Sequence, residues 1–233
     1  MVIAAAGSGE RLGAGGPKAL VEVAGRPLLA WSLAAFAQAK TVDRAVVAVP
    51  ASHETAVRAL APTDFEVEVV PGGDTRAESV GNGLAAVRSE LVAVHDAARP
   101  LVTPKLIDEL VAKLAERPDA AGVIAAAPVT DTVKRAREPR PPKGEFQRGG
   151  TTVAKTESRD HLWTAQTPQV FRVAALREAH DTEPQRVAAA TDDAMLVEEA
   201  GGKVVIHPSP AENLKVTTAA DRRLAELLLA ERC

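Results

Sequence analysis

The sequence predicts an α/β fold: a mostly parallel twisted sheet with helices on both faces and one protruding β-arm. Three observations predict it. Short β-rich apolar runs recur along the chain, and the segments between them carry the apolar spacing of helices. Only 3% of the 233 residues are aromatic and there is no Tyr, so the hydrophobic 46% must pack mainly as Ala, Val and Leu in regular layers. One stretch, Arg135 to Gly150, has no period and is rich in Pro, Gly and charge, which suits a protrusion and not a layer.

Strands are expected in chain order at Val2–Ala6, Ala45–Val49, Val67–Val70, Leu91–Val94, Gly122–Ala127 and Val204–His207. Helices are expected at Pro27–Ala39, His53–Leu60, Ala77–Arg88, Pro104–Ala115, Asp192–Ala200 and Thr218–Glu231. Thr103 before Pro104 is a helix-start signal, and Thr191 precedes an acidic first turn of Asp192 and Asp193. Alternating strands and helices read as repeated βαβ units and so as a parallel sheet. The runs Asp131–Lys134 and Thr151–Lys155 flank the aperiodic stretch and are expected to pair. The βαβ pattern resumes beyond them, so the chain reads as one domain over 1–233 with 131–158 as an inserted arm.

A net charge of -3 argues against nucleic acid as the main partner, since that binding mode leaves a strongly basic balance. The basic residues of the arm (Lys134, Arg135, Arg137, Arg140, Lys143 and Arg148) are broken up by prolines and acids, with only Phe146 to stack on a base. The one cysteine, Cys233, excludes an internal disulfide and a thiolate metal cluster, which fits a reducing cytoplasm. Residues 1–6 have neither the basic start nor the apolar length of a signal peptide or membrane span.

Directly after the first expected strand comes Ala-Ala-Ala-Gly-Ser-Gly-Glu-Arg-Leu-Gly-Ala-Gly-Gly-Pro-Lys, residues 4–18. Glycines such as Gly7 and Gly9 let the backbone approach a ligand and turn its N–H groups inward, and Arg11 and Lys18 add two positive charges. That combination suits a triphosphate; five glycines without the cations would suit a plain turn. Leu12 stands where the dinucleotide fingerprint needs a small residue, no acid occupies Val49-Pro50-Ala51, and no Gly-Lys-Ser/Thr is present for a P-loop. An NAD-linked oxidoreductase is thereby disfavoured.

The run Val92-Ala93-Val94-His95-Asp96-Ala97-Ala98-Arg99-Pro100 ends an apolar strand in a carboxylate. Ligands of parallel sheets bind outside the carboxyl ends of the strands, so Asp96 is expected on the same edge as the glycine loop, where it could hold Mg²⁺ or pair with Arg99. In Pro71-Gly72-Gly73-Asp74-Thr75-Arg76-Ala77-Glu78-Ser79, the glycines free a turn to read a base edge with Asp74 and Ser79, although Asp74 or Thr75 also suits an N-cap. Lys215, beyond the last strand, is placed to add a third cation.

Together these segments resemble the 2-C-methyl-D-erythritol 4-phosphate cytidylyltransferases of the non-mevalonate isoprenoid pathway. The resemblance runs over nearly the whole chain. It is carried by Ala-Ala-Gly-x-Gly-x-Arg with Pro17-Lys18, Gly-Gly-x-x-Arg-x-x-Ser at 72–79, His95-Asp96-Ala97-Ala98-Arg99-Pro100, Pro128-Val129-x-Asp131-Thr132-Val133-Lys134, Thr167-Pro168-Gln169-x-Phe171, Thr191-Asp192-Asp193 and Asn213-x-Lys215-Val216-Thr217. The chain departs from the pattern at Ala4, where many members have Pro, and at Glu212, where Asp is common.

The resemblance implies a Rossmann-like fold and a homodimer whose β-arms embrace. It implies that Ala5, Ala6, Gly73, Asp74 and Ser79 read the cytidine and that Arg11, Lys18 and Lys215 grip the triphosphate of CTP. Asp96 would sit beside Mg²⁺. Arg99, Thr132, Arg159, Thr167, Thr191 and Lys215 would surround the small polyol phosphate, with Thr132 and Arg159 open to service in the partner subunit's site. A ribitol-5-phosphate cytidylyltransferase and a non-catalytic nucleotide-binding module are the alternatives.

Overall fold

The computed structural model describes residues 1–7, 16–138 and 151–232. Its strands in chain order are β1 (Val2–Ala4), β2 (Glu22–Val23), β3 (Arg26–Pro27), β4 (Arg44–Val49), β5 (Glu66–Pro71), β6 (Leu91–Asp96), β7 (Gly122–Pro128), β8 (Lys134–Ala136), β9 (Val153–Thr156), β10 (Trp163–Arg172) and β11 (Val204–Pro208). The helices are α1 (Leu28–Gln38), α2 (Glu54–Arg58), α3 (Arg76–Ala85), α4 (Pro104–Ala115), α5 (Val173–His180), α6 (Pro184–Ala189), α7 (Asp193–Glu199) and α8 (Ala219–Ala230).

Seven strands form the main sheet in the order β11-β7-β10-β6-β1-β4-β5. Side chains alternate across it, so successive residues feed opposite cores. Val2, Val46 and Val94 pack under α3, α5 and α7, whereas Ile3, Val47 and Ala93 pack under α1 and α4. Both faces are therefore covered, as the apolar strands require.

Helix starts follow their caps. Thr103 accepts from the Leu106 N–H with Pro104 in the first turn, and Thr218 with Asp221 forms a capping box. Helix α7 begins one residue later than its sequence suggests, because Asp192 itself is the cap and accepts from the Met195 N–H at 3.0 Å.

The sequence reading misses β2, β3, β10, α5 and α6. β10 runs antiparallel between β6 and β7, so the sheet is mixed where the βαβ alternation predicted parallel pairing. Pro168 hides this strand: proline lacks a ladder donor and argues against a central position, yet here its pairing with β7 shifts register between Ala165 and Gln169, which accommodates it. In the arm, β8 pairs with β9 as Lys134↔Thr156 and Arg135↔Lys155, later along the chain than the expected Asp131–Lys134 and Thr151–Lys155, so Thr132 precedes the ribbon.

A third, smaller core holds the β2–β3 hairpin against α8 through Val21, Val23, Leu28, Val216 and Leu229. Val216 is fully buried and its N–H donates to the Ala98 carbonyl at 2.8 Å. This cluster adjoins both Lys18 and Lys215 in sequence and fixes the backbone that carries them.

Candidate active site

The chain lays down β1, β4 and β5 on one side and then returns to β6 on the other side of β1. The strand order thus reverses between β1 and β6, where diverging loops open a crevice beyond the carboxyl ends. Ala4 of β1 stands in register with Asp96 of β6.

A cavity of about 310 Å³ occupies this switch point. Ala5, Ala6 and Gly7 line it from the end of β1, and Gly73, Asp74 and Ser79 from the turn into α3. Lys18, Asp96 and Lys215 supply its expected charges. A second cavity of about 230 Å³ adjoins it, lined by Arg99, Thr167 and Thr191 together with Arg76, Asp96 and Lys215, which belong to both. The residues expected at nucleotide and acceptor are thus sorted into two spaces that meet at one carboxylate and its cations. Gly9 and Arg11 lie outside the described residues. Thr132 and Arg159 line neither cavity; both are exposed beside the arm, and the Arg159 guanidinium donates to the Thr130 carbonyl.

The turn at 72–75 is fixed by its own hydrogen bonds. Thr75 caps α3 and forms a capping box with Glu78, so the cap is Thr75 and Asp74 is left to face the cavity. The Ser79 hydroxyl accepts from the Gly73 N–H at 3.0 Å and donates to the Thr75 carbonyl at 2.9 Å. Glycine is needed here for close approach: a Cβ on Gly72 would meet the Ala6 Cβ at 2.6 Å, and one on Gly73 the Glu78 Cβ at 2.4 Å.

Asp96 pairs with Arg76 and Lys215, not with Arg99 as the alternative reading allowed. Arg76 Nε lies 2.7 Å from Oδ1 and Lys215 Nζ 2.6 Å from Oδ2. Burial would raise the Asp96 carboxyl, but Arg76 and then Lys215 outweigh it and hold the group well below the usual carboxylate range. Arg99 instead donates to the carbonyls of Asn213 at 2.7 Å and Ala165 at 3.4 Å, which stitches the Lys215 segment to β10.

Sequence reasoning missed Arg76. The arginine of the Gly-Gly-x-x-Arg motif was in view, but its partners come from distant segments: Asp96, and Asp193 of α7, whose Oδ2 lies 2.8 Å from Nη1. Burial would lower the Arg76 guanidinium, yet Asp193 and Asp96 raise it above its ordinary value.

His95 is fully buried behind Asp96, with its ring edge-on to Phe36. Its Nε2 is 3.2 Å from the Arg99 carbonyl oxygen, which can only accept, so Nε2 carries the proton. Nδ1 then accepts from the Thr167 hydroxyl at 3.1 Å, and that oxygen accepts the Asp96 N–H at 3.0 Å. The chain of bonds joins β6 to β10 and sets the backbone of Asp96. Burial pushes the ring down from 6.5 to about 3. The stability of this neutral state is complete above the unfolded value near 6.5 and is lost as pH falls from there towards 3. By pH 5 this group alone should cost about 2 kcal/mol. Denaturant unfolding at pH 7.5 and pH 5 should show that extra loss in wild type and not in His95→Gln; equal pH dependence in the two would contradict the assignment.

The comparisons with known proteins point the same way as the geometry. A family model described as IspD, 2-C-methyl-D-erythritol 4-phosphate cytidylyltransferase, matches residues 1–231. A protein of that name from Gloeobacter violaceus is 41% identical over 234 residues, 98% of this chain and 95% of its own length. One from Streptomyces coelicolor is 42% identical over 238 residues, 99% of this chain and 84% of its own. The crystal structure of the Thermus thermophilus enzyme of that name, 34% identical, matches with a TM-score of 0.74 and covers 98% of this chain and 97% of that one. With a family match along almost its entire length, and residues 4–7, Lys18, the 73–79 turn and Asp96 gathered at one switch point, the chain belongs to the 2-C-methyl-D-erythritol 4-phosphate cytidylyltransferase family.

Proposed function

We infer that the protein forms 4-diphosphocytidyl-2-C-methyl-D-erythritol and pyrophosphate from CTP and 2-C-methyl-D-erythritol 4-phosphate. The observation that carries this reading is the meeting of two cavities at Asp96 and Lys215, one lined by the nucleotide motifs and the other by the acceptor motifs. An oxygen of the acceptor phosphate attacks the α-phosphorus of CTP in line. The bond to the bridging oxygen breaks, and pyrophosphate leaves with the electron pair. An ionised phosphate needs little help from a base, so the barrier is the approach of anion to anion.

Lys18 and Lys215 answer that barrier by neutralising the triphosphate, with Arg11 as a third cation on this reading. Ala5, Ala6, Gly7, Gly9, Gly73, Asp74 and Ser79 hold the nucleotide. Arg99, Thr167 and Thr191 hold the acceptor. The Ser79 hydroxyl accepts from the Gly73 N–H and donates to the Thr75 carbonyl, which leaves one lone pair to offer the nucleotide.

Among the described residues no group of three His, Cys, Asp or Glu side chains converges on a metal position. Among the described residues Asp96 is the one carboxylate that both cavities share, and each of its oxygens keeps a lone pair beside its cation. This donor set fits Mg²⁺ that arrives on the triphosphate, with Asp96 as its protein ligand, and not an ion held by protein alone. When bound, such an ion draws charge from the phosphate oxygens.

The arm strands β8 and β9 are exposed along their whole length, and Val153 and Trp163 present apolar surface beside them. This supports a homodimer joined by the 131–158 arms, in which Thr132 and Arg159 complete the site of the second copy. No helix among the described residues is long and apolar enough to cross a membrane. We place the enzyme in the cytoplasm.

Pyrophosphate release tests the reading. With CTP and Mg²⁺, the protein should turn over methylerythritol phosphate and leave ribitol 5-phosphate essentially unused, and calorimetry should find CTP bound in preference to ATP, GTP and UTP. Turnover of ribitol phosphate alone would move the chain to the alternative activity, and nucleotide binding without turnover would leave a binding module.

A further inference from the structure

Of the two cations on Asp96, one is placed to move and the other is pinned. Lys215 lies at the rim of both cavities with its side chain 40% exposed, and its ammonium is held by Asp96 alone among the bonds the structure shows. Arg76 sits in the first turn of α3 and spans two carboxylates from separate elements: Asp96 at the end of β6 and Asp193 at the start of α7. Asp193 is fully buried, and His180 approaches its other oxygen at 3.7 Å. A guanidinium spans this pair with two separate nitrogens of one fixed plane, whereas a lysine ammonium offers all its donors from a single point.

Resting on the reading above, in which Lys215 serves the reacting phosphates, the geometry leaves a difficulty. Lys215 must leave or share Asp96, and a carboxylate only 7% exposed would then depend on Arg76 as its protein counter-charge. Stranding a buried ion is strongly unfavourable. We propose that Arg76, anchored on Asp193, is the standing counter-ion of Asp96 that lets Lys215 turn to the phosphates. Arg76 is thus a positioning residue that acts through Asp96 and Lys215. Its charge is already matched by two carboxylates, so it adds little to the grip on CTP.

The test is a set of variants, Arg76→Gln, Arg76→Lys, Lys215→Ala and the double variant Arg76→Gln/Lys215→Ala, assayed for pyrophosphate release and for CTP affinity by calorimetry. Arg76→Gln should lower kcat roughly 10–100-fold while CTP affinity stays within about threefold of wild type. Arg76→Lys should recover part of kcat, since a lysine keeps a charge for Asp96 and loses the Asp193 anchor. In the Lys215→Ala background, Arg76→Gln should cost less than about threefold more, because no lysine remains to be released. The proposal is overturned if Arg76→Gln keeps wild-type kcat, if its loss resides in CTP affinity, or if the two losses multiply. Should Arg76→Gln fail to fold, the same comparisons are made on Arg76→Lys. A wild-type protein that releases no pyrophosphate from CTP and methylerythritol phosphate would sink the functional reading itself, a result separate from every variant outcome.

Discussion

Replacing Lys215 with Ala is expected to lower turnover by roughly 10²–10³-fold with the fold intact, the scale seen when one preorganised donor is removed from a site of charge development. The expectation follows from position. Lys215 lines both cavities, so its ammonium can face the α-phosphate and the attacking phosphate together. The backbone survives the change, because Val216 remains sealed in the third core and Asn213 still donates to Gln166 and the Thr167 carbonyl, each at 2.9 Å. Both substrate KM values and kcat should suffer, and Lys215→Arg should restore only part of the rate, since a fork cannot sit where a point charge did. Steady-state kinetics beside a thermal melt checks this. A folded Lys215→Ala enzyme with near-normal kcat would remove the lysine from the chemistry.

Lys18→Ala should cost a similar factor, about 3 kcal/mol of transition-state stabilisation, but distribute it differently. Lys18 lines the nucleotide cavity and not the acceptor cavity. Its loss should therefore weaken CTP and slow transfer while leaving the KM for the acceptor within about twofold. Lys18 opens the single 3₁₀ turn Lys18–Leu20, and its N–H donates to the Gly7 carbonyl at 2.9 Å, a backbone bond that Ala keeps. Equal weakening of both substrates would show that the two cavities are not separate subsites.

Much of the nucleotide wall was legible because its signals are local. Gly72-Gly73, Thr75 with Glu78, and Asp96 at the end of an apolar strand each declare a turn, a cap or a strand end within a few residues. The acceptor wall was less legible because it depends on pairing across the chain. β10 carries a proline and runs against its neighbours, so neither composition nor alternation reveals that Thr167 accepts from the N–H of Asp96, 71 residues earlier. Arg76 was hidden for the same reason: its two carboxylates become neighbours only after β6 and α7 are in place. The alternative Asp96–Arg99 pair does not form, because Arg99 turns to two carbonyls while Arg76 and Lys215 take the carboxylate.

The insertion of β10 against the direction of the sheet divides the linings of the two cavities along the polypeptide. Among the described residues, and apart from Lys215 and Thr217, every residue lining the first cavity comes from the first hundred, whereas much of the second is lined by residues 165–192. Substitutions at Ala165, Gln166, Gln169 or Thr191 can therefore reshape the second cavity without touching the lining of the first. A scaffold wired in this way lets one space change shape while its neighbour is kept.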